Sequence, residues 1–339
     1  MGNNKSRGLF IITGIIILIL GVAVFLKFFV FSNNNDKNIL DAKALNIGYT
    51  QLIESNTYKI INTFGKELNL NKAQGIAYYN NRIIVSDTEN DRLVILGNDG
   101  RLLKVVGRSG NAQGEFIKPR GITVDKEGNI LVVDSGNNRL EIFDSEGNYK
   151  DQLPINEFNT PFKASEYIRD VEIDDFGNIY ISTYAYYGER QGIYVYNNKK
   201  LITHIKCNAS GLLSKCNNEI FFIVDVELAK SSNERRLKAG KTYICKVTPD
   251  KLESIYKLNN SSSPKSICFY KNNYYILSKS MPSIDMFDSN YKYKETVFTI
   301  KWRNRDDYRA FTDMTVDNDG NFYCIDDEKN LINVLQKKG

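Results

Sequence analysis

Apolar and polar positions alternate along most of the chain in short runs, and the runs are parted by segments rich in Gly, Asn and Asp. The clearest stretch, 116–150, reads FIKPRGITVDKEGNILVVDSGNNRLEIFDSEGNYK. GITVD, NILVVD and RLEIFD carry the β-branched and aromatic residues that suit a pleated, half-buried surface. KEGN, DSGNN and DSEGN between them supply turn chemistry, in places with a need for positive φ. The pattern predicts an antiparallel meander.

The meander recurs. Residues 75–105 carry the same template, sharing VSDTENDRL with VVDSGNNRL of 116–150 when the turns are aligned. A third copy begins near Arg169, a degraded fourth near Gly211 with a long insertion, a fifth at SICFYKNNYYILS, and a sixth at DMTVDNDGNFYCID. A four-strand unit of roughly 41–54 residues matches the period of propeller blades. The sixth copy lacks a fourth strand, and Tyr58–Phe64 has the pattern of one, so an N-terminal strand is expected to complete the last blade and remove its open edge. The predicted fold class is all-β, a six-bladed β-propeller of four-stranded antiparallel blades. FIKPRGITVDKEGNILVVDSGNNRLEIFD resembles an NHL repeat, and residues 58–338 resemble an NHL-type six-bladed β-propeller, sharply in the first two copies and faintly in the fourth and fifth. The resemblance implies a ring-shaped platform for a protein or other ligand. Some relatives of that kind are enzymes, and a shared fold does not choose between the two.

Ahead of the repeats, an uninterrupted apolar run spans Leu9–Leu26 and extends through Lys27 to Phe31. It reaches spanning length and lacks a small-residue cleavage site downstream, so an uncleaved transmembrane signal anchor is expected over 9–31. Lys5 and Arg7 before it place residues 1–8 in the cytoplasm and the propeller outside. Residues 32–57 read as a polar linker and 58–339 as the propeller, giving a single-pass protein of the cell membrane with an extracytoplasmic domain. The Asn-, Lys-, Ile- and Tyr-rich composition fits an AT-rich bacterial genome. A net charge of +5 is mild; it suits an extracellular polyanion, the anionic membrane surface or a mixed solvated surface, and the chain lacks the basic stripe that nucleic acid would need.

The catalytic inventory is thin. His204 is the only histidine and falls on a predicted outer strand, so histidine relays and multi-histidine zinc sites lack material. Five scattered cysteines, an odd number, argue against a disulfide framework, although Cys207 and Cys216 lie near enough in sequence to pair. A calcium-dependent lactonase or a lyase at the channel mouth is the alternative function, with Asp87, Asp134, Asp225 and Asp326 as conceivable calcium ligands. Those same carboxylates sit in turn sequences, where they would bond backbone amides, with Arg92 and Arg139 as partners. No resident cofactor is expected under the first reading.

Insertions gather on one face. The connections 154–169, 183–192, 226–241 and 301–311 all join strands on the same side of the ring, while the opposite turns are short throughout. They are rich in Tyr and Arg and hold Trp302, the composition of interaction surfaces. Just before each first strand the copies carry Gln74, Arg120, Arg169, Lys265 and Thr312, expected to surround one opening. Arg120, Arg169 and Lys265 would receive an anionic group, a peptide carboxylate, a polymer phosphate or an acidic side chain, unless Asp170 or Glu166 neutralises them. Tyr184, Tyr187, Trp302 and Arg305 would complete the surface. The expected function is an anchored binding or scaffold module for a protein, peptide or anionic envelope ligand.

Overall fold

The computed structural model describes residues 57–155, 166–185, 190–207, 210–225, 242–258, 264–278, 283–299 and 311–339. The expected membrane helix and linker, and the loops holding Tyr187, Trp302 and Arg305, lie outside them. The first strand, β1 (Tyr58–Phe64), precedes six repeats. Blade one is β2 (Gly75–Tyr79), β3 (Arg82–Asp87), β4 (Arg92–Gly97) and β5 (Leu102–Val106); blade two is β6 (Pro119–Val124), β7 (Ile130–Asp134), β8 (Arg139–Phe143) and β9 (Tyr149–Pro154). Blade three is β10 (Glu166–Ile173), β11 (Ile179–Ala185), β12 (Gly192–Asn197) and β13 (Lys200–Lys206); blade four is β14 (Ser210–Cys216), β15 (Glu219–Asp225), β16 (Thr242–Thr248) and β17 (Lys251–Leu258). Blade five is β18 (Pro264–Tyr270), β19 (Asn273–Ser278), β20 (Ser283–Asp288) and β21 (Tyr293–Thr299). Blade six takes β22 (Phe311–Val316), β23 (Phe322–Asp326) and β24 (Leu331–Lys337), and β1 hydrogen-bonds to β24 as its fourth, outermost strand.

Each sheet is antiparallel and runs from the axis outward in sequence order, apart from β1. Tight turns hold the first hairpins together. Asp125, Asp174 and Asp317 each accept both the backbone and side-chain N–H of the asparagine four residues on, Asn129, Asn178 and Asn321, at 2.7–2.9 Å. The glycine between them adopts φ of +81° to +89°, open to glycine at little cost. This is what the D-x-x-G-N spacing encodes.

The apolar core is divided among the seams between neighbouring blades. Tyr180, Ile193, Phe222 and Cys245 fill the seam of blades three and four, and Phe64, Ile76, Val85 and Tyr323 that of six and one. The remaining four seams are packed the same way. All five cysteines are buried free thiols, Cys207 and Cys216 included, so they serve these seams as small apolar side chains.

Candidate functional site

The innermost strands carry a recurring irregularity. In β10, β18 and β22 the register against the second strand skips one residue: Ile168 pairs with Thr183 and Asp170 with Ser182, Pro264 with Ser278 and Ser266 with Leu277, Phe311 with Asp326 and Asp313 with Ile325. The skipped residues are Arg169, Lys265 and Thr312. β6 has the same break across Arg120 and Gly121. A β-bulge turns the extra side chain away from the regular pleat, and here the skipped residues join Gln74, Gly121, Tyr167, Asp170, Leu212, Asp313 and Asp327 around one axial cavity of about 200 Å³. β14 pairs with β15 without a break, so blade four contributes Leu212 in place of a polar residue.

Arg120 is the best fixed of the cations. Its Nη1 donates to Gln74 Oε1, and its guanidinium lies 4.4 Å from the centre of the Tyr167 ring. Tyr167 in turn stacks on Tyr184 at 5.1 Å, so Tyr184 supports the cavity wall from behind. Nε of Arg120 and Oγ1 of Thr312 are buried without a hydrogen-bond partner. Burial, together with the neighbouring charge of Arg169, lowers the Arg120 pKa, leaving a cation whose charge is under-compensated.

Below the mouth, Asp170 and Asp313 also line a second chamber of about 190 Å³ with Thr123, Glu172, Ser214, Cys268 and Thr315. These carboxylates lace the blades together. Asp170 accepts the N–H of Val171 and, across the seam, of Leu213 at 2.9 Å; Asp313 accepts those of Met314 and, across the seam, Ile76. Glu172 joins Thr123 Oγ1 of blade two to Lys215 N of blade four. Burial pushes the Asp170 carboxyl well above its ordinary range, and raises Glu172 and Asp313 to about 7.

The turn carboxylates proposed as calcium ligands have other work. Asp87 accepts Asn71 N, Asn90 Nδ2 and Arg92 Nε; Asp134 accepts Ile117 N, Asn137 Nδ2 and Arg139 Nε, all within 2.7–2.8 Å. Asp326 accepts Lys329 N. Each arginine then reaches back to carbonyls of the preceding connection, Leu68 for Arg92 and Ala112 and Glu115 for Arg139. The Asp–Arg pairs are braces in blades one and two, and the Asp225 side chain lies outside those described. Among the described residues, three or more His, Cys, Asp or Glu side chains nowhere gather closely enough to hold a metal ion. His204 stacks on Tyr194 on the outer strand of blade three, with ring centres 4.0 Å apart, and burial lowers its pKa.

Of the site residues expected from sequence, Arg120, Arg169 and Lys265 line the cavity, Tyr184 stands behind it, and Tyr187, Trp302 and Arg305 lie outside the described residues. Tyr167, Leu212, Asp313 and Asp327 are additions. Asp313 had a signal: it stands where Gly75 and Gly121 stand in the first two copies.

A family profile described as a 6-bladed beta-propeller matches residues 32–338. The mouse NHL repeat-containing protein 3 is 39% identical over 57 residues, 17% of this chain and 16% of that protein. The Caenorhabditis elegans protein lin-41 is 46% identical over 43 residues, 13% of this chain and 4% of that protein. The chain thus aligns with only a small part of these curated relatives. Among solved structures, virginiamycin B lyase from Staphylococcus aureus superposes with a TM-score of 0.52 at 13% identity, covering 82% of this chain and 99% of the lyase. The Cps50 (Swd1) β-propeller domain of Myceliophteria thermophila gives 0.53 at 8% identity, with 82% and 99% coverage. Likeness at such identities carries the fold alone.

Proposed function

The chain belongs to the 6-bladed beta-propeller family, and from that premise we propose that it is a membrane-anchored extracytoplasmic binding module whose axial mouth takes an anionic group. One observation carries the reading: Arg120, Arg169 and Lys265, far apart in sequence, meet in one cavity of about 200 Å³. Like charges so placed repel one another, and an anion relieves both that repulsion and the desolvation of Arg120. On this reading the anchor is the apolar run 9–31, and Tyr187, Trp302 and Arg305 remain the further ligand contacts expected from the sequence.

A lyase or lactonase reading has less behind it. A histidine-to-alanine form of the Staphylococcus aureus lyase is described as catalytically inactive, whereas the single histidine here is stacked on an outer strand.

The binding reading is tested with acetate and inorganic phosphate as probes, read by the ligand-induced rise in melting temperature. Arg120→Ala and Arg169→Ala should each weaken binding by roughly 1.5–3 kcal/mol, the scale of hydrogen bonds to charged groups, with the fold retained. Added sodium chloride should weaken it further by screening. If both substitutions lower the melting temperature yet leave anion binding as it was, the ring of cations is scaffolding.

A further inference from the structure

We propose that the group received in the mouth is the terminal carboxylate of a peptide, entering end-on with its last side chain against Leu212. This rests on the anion-binding reading above and narrows it to one ligand class.

Access comes first. The cavity lies on the ring axis, walled by the starts of the inner strands, with Asp170 and Asp313 standing between it and the second chamber. At about 200 Å³ it is smaller than the roughly 300 Å³ at which drug-sized ligand sites begin. It has room for an end group. A phosphodiester within a polymer would bring chain on both sides, and both would have to turn back through one opening.

Charge narrows the class further. The three cations share the lining with three carboxylates, Asp170, Asp313 and Asp327. A phosphate monoester carries close to two negative charges at neutral pH, and any ionised carboxylate in the wall repels the second. A single negative charge suits this balance better. Arg120 is already held over the Tyr167 ring and tied to Gln74, and its planar guanidinium offers the fork that a planar carboxylate meets.

Shape separates a chain end from an acidic side chain. Leu212 comes from blade four, between the blades that supply Arg169 and Lys265, where β14 runs against β15 without the bulge that β10 and β18 carry on either side. An apolar facet therefore sits between two cations. An α-carboxylate and an aliphatic side chain on the same carbon match that arrangement; a glutamate side chain has no second arm to place there. Across the mouth, Gln74 and the unpartnered hydroxyl of Thr312 offer polar groups to the last peptide bond.

The test uses the full chain in a mild detergent and fluorescein-labelled Gly-Gly-Gly-Val, as the free acid and as the C-terminal amide. Fluorescence anisotropy should show the acid binding about tenfold or more tightly than the amide, the scale of a charged hydrogen bond. Because that comparison is made on the unaltered chain, it does not depend on any variant folding. Replacing the terminal valine by glycine should weaken binding, and Leu212→Ala should abolish that difference. An amidated peptide with an internal glutamate should bind no better than the valine amide. If acid and amide bind alike, or the internal glutamate matches the free acid, the proposal is overturned; the anion reading survives provided phosphate and acetate still bind in an Arg120-dependent way. If neither the peptides nor those anions bind, both fall.

Discussion

Gly121 shows how closely the inner wall is built. A Cβ there would lie 2.5 Å from Asp170 Cα and 2.1 Å from its Oδ1, contacts that backbone cannot relieve by rotating a side chain. Gly121→Ala is expected to lower stability by about 1–3 kcal/mol, the usual scale of overpacking, as read from the denaturant midpoint. The neighbouring carboxylates set a pH dependence. Asp313 and Glu172 rise to about 7 from ordinary values of 3.8 and 4.5, and Glu141, buried beside Arg139, also rises to about 7. The folded state thus holds protons that the unfolded chain releases, so stability falls as pH climbs through that window and levels off above it. His204, lowered by burial, opposes this as a single group below its ordinary value of 6.5. Melting temperature should therefore be higher near about pH 5.5 than near about pH 8, and Asp313→Asn should flatten the profile. An unchanged slope in that variant would show that Asp313 does not titrate as described. Arg120, Arg169 and Lys265 were legible in the sequence because the repeats align them. The bulge that aims them was not, since a skipped residue shows only against the partner strand. Tyr167 was hidden for another reason: an aromatic residue in a strand reads as core, and only the three-dimensional placement of Arg120 on its face gives it a second use.

At the scale of elements, β1 has the most to say. Tyr58 packs on Phe322 with ring centres 5.3 Å apart, Phe64 fills the space that a Cβ on Gly100 would need, and both are buried. A chain beginning near residue 54 should melt as the full propeller does. One beginning after Phe64 loses the ladder to β24 and these two aromatic contacts, and should be less stable by several kcal/mol. Equal melting temperatures for the two would remove that role from β1. The strand was readable because the sixth copy visibly stops one strand short. Blade four was harder to read. Its insertion at 226–241 breaks the period, and β14 starts Ser-Gly-Leu-Leu where other copies place a polar residue and then a small or acidic one. The departure that blurred the repeat is the same one that puts Leu212 into the mouth.

For the molecule as a whole, the anchoring proposal makes a topological prediction. Protease added to intact protoplasts should degrade or release the propeller, and protection of the propeller while a known external protein is cut would reverse the orientation read from Lys5 and Arg7. The pairing of β1 with β24 adds a direction to this. Tyr58 sits opposite Lys337, and Lys338 N donates to Thr57 O, at the same edge of blade six as the tight turn through Gly320. The cavity residues Thr312 and Asp327 stand at the other edge, where Phe311 faces Asp326. The ring consequently has a back and a front. The chain enters through the back plate, beside its own last residues, and the mouth opens at the front. On the anchoring proposal, the segment before Thr57 joins the ring on the side that the mouth turns away from, so a visitor seeking the opening approaches from the surroundings rather than from the anchor.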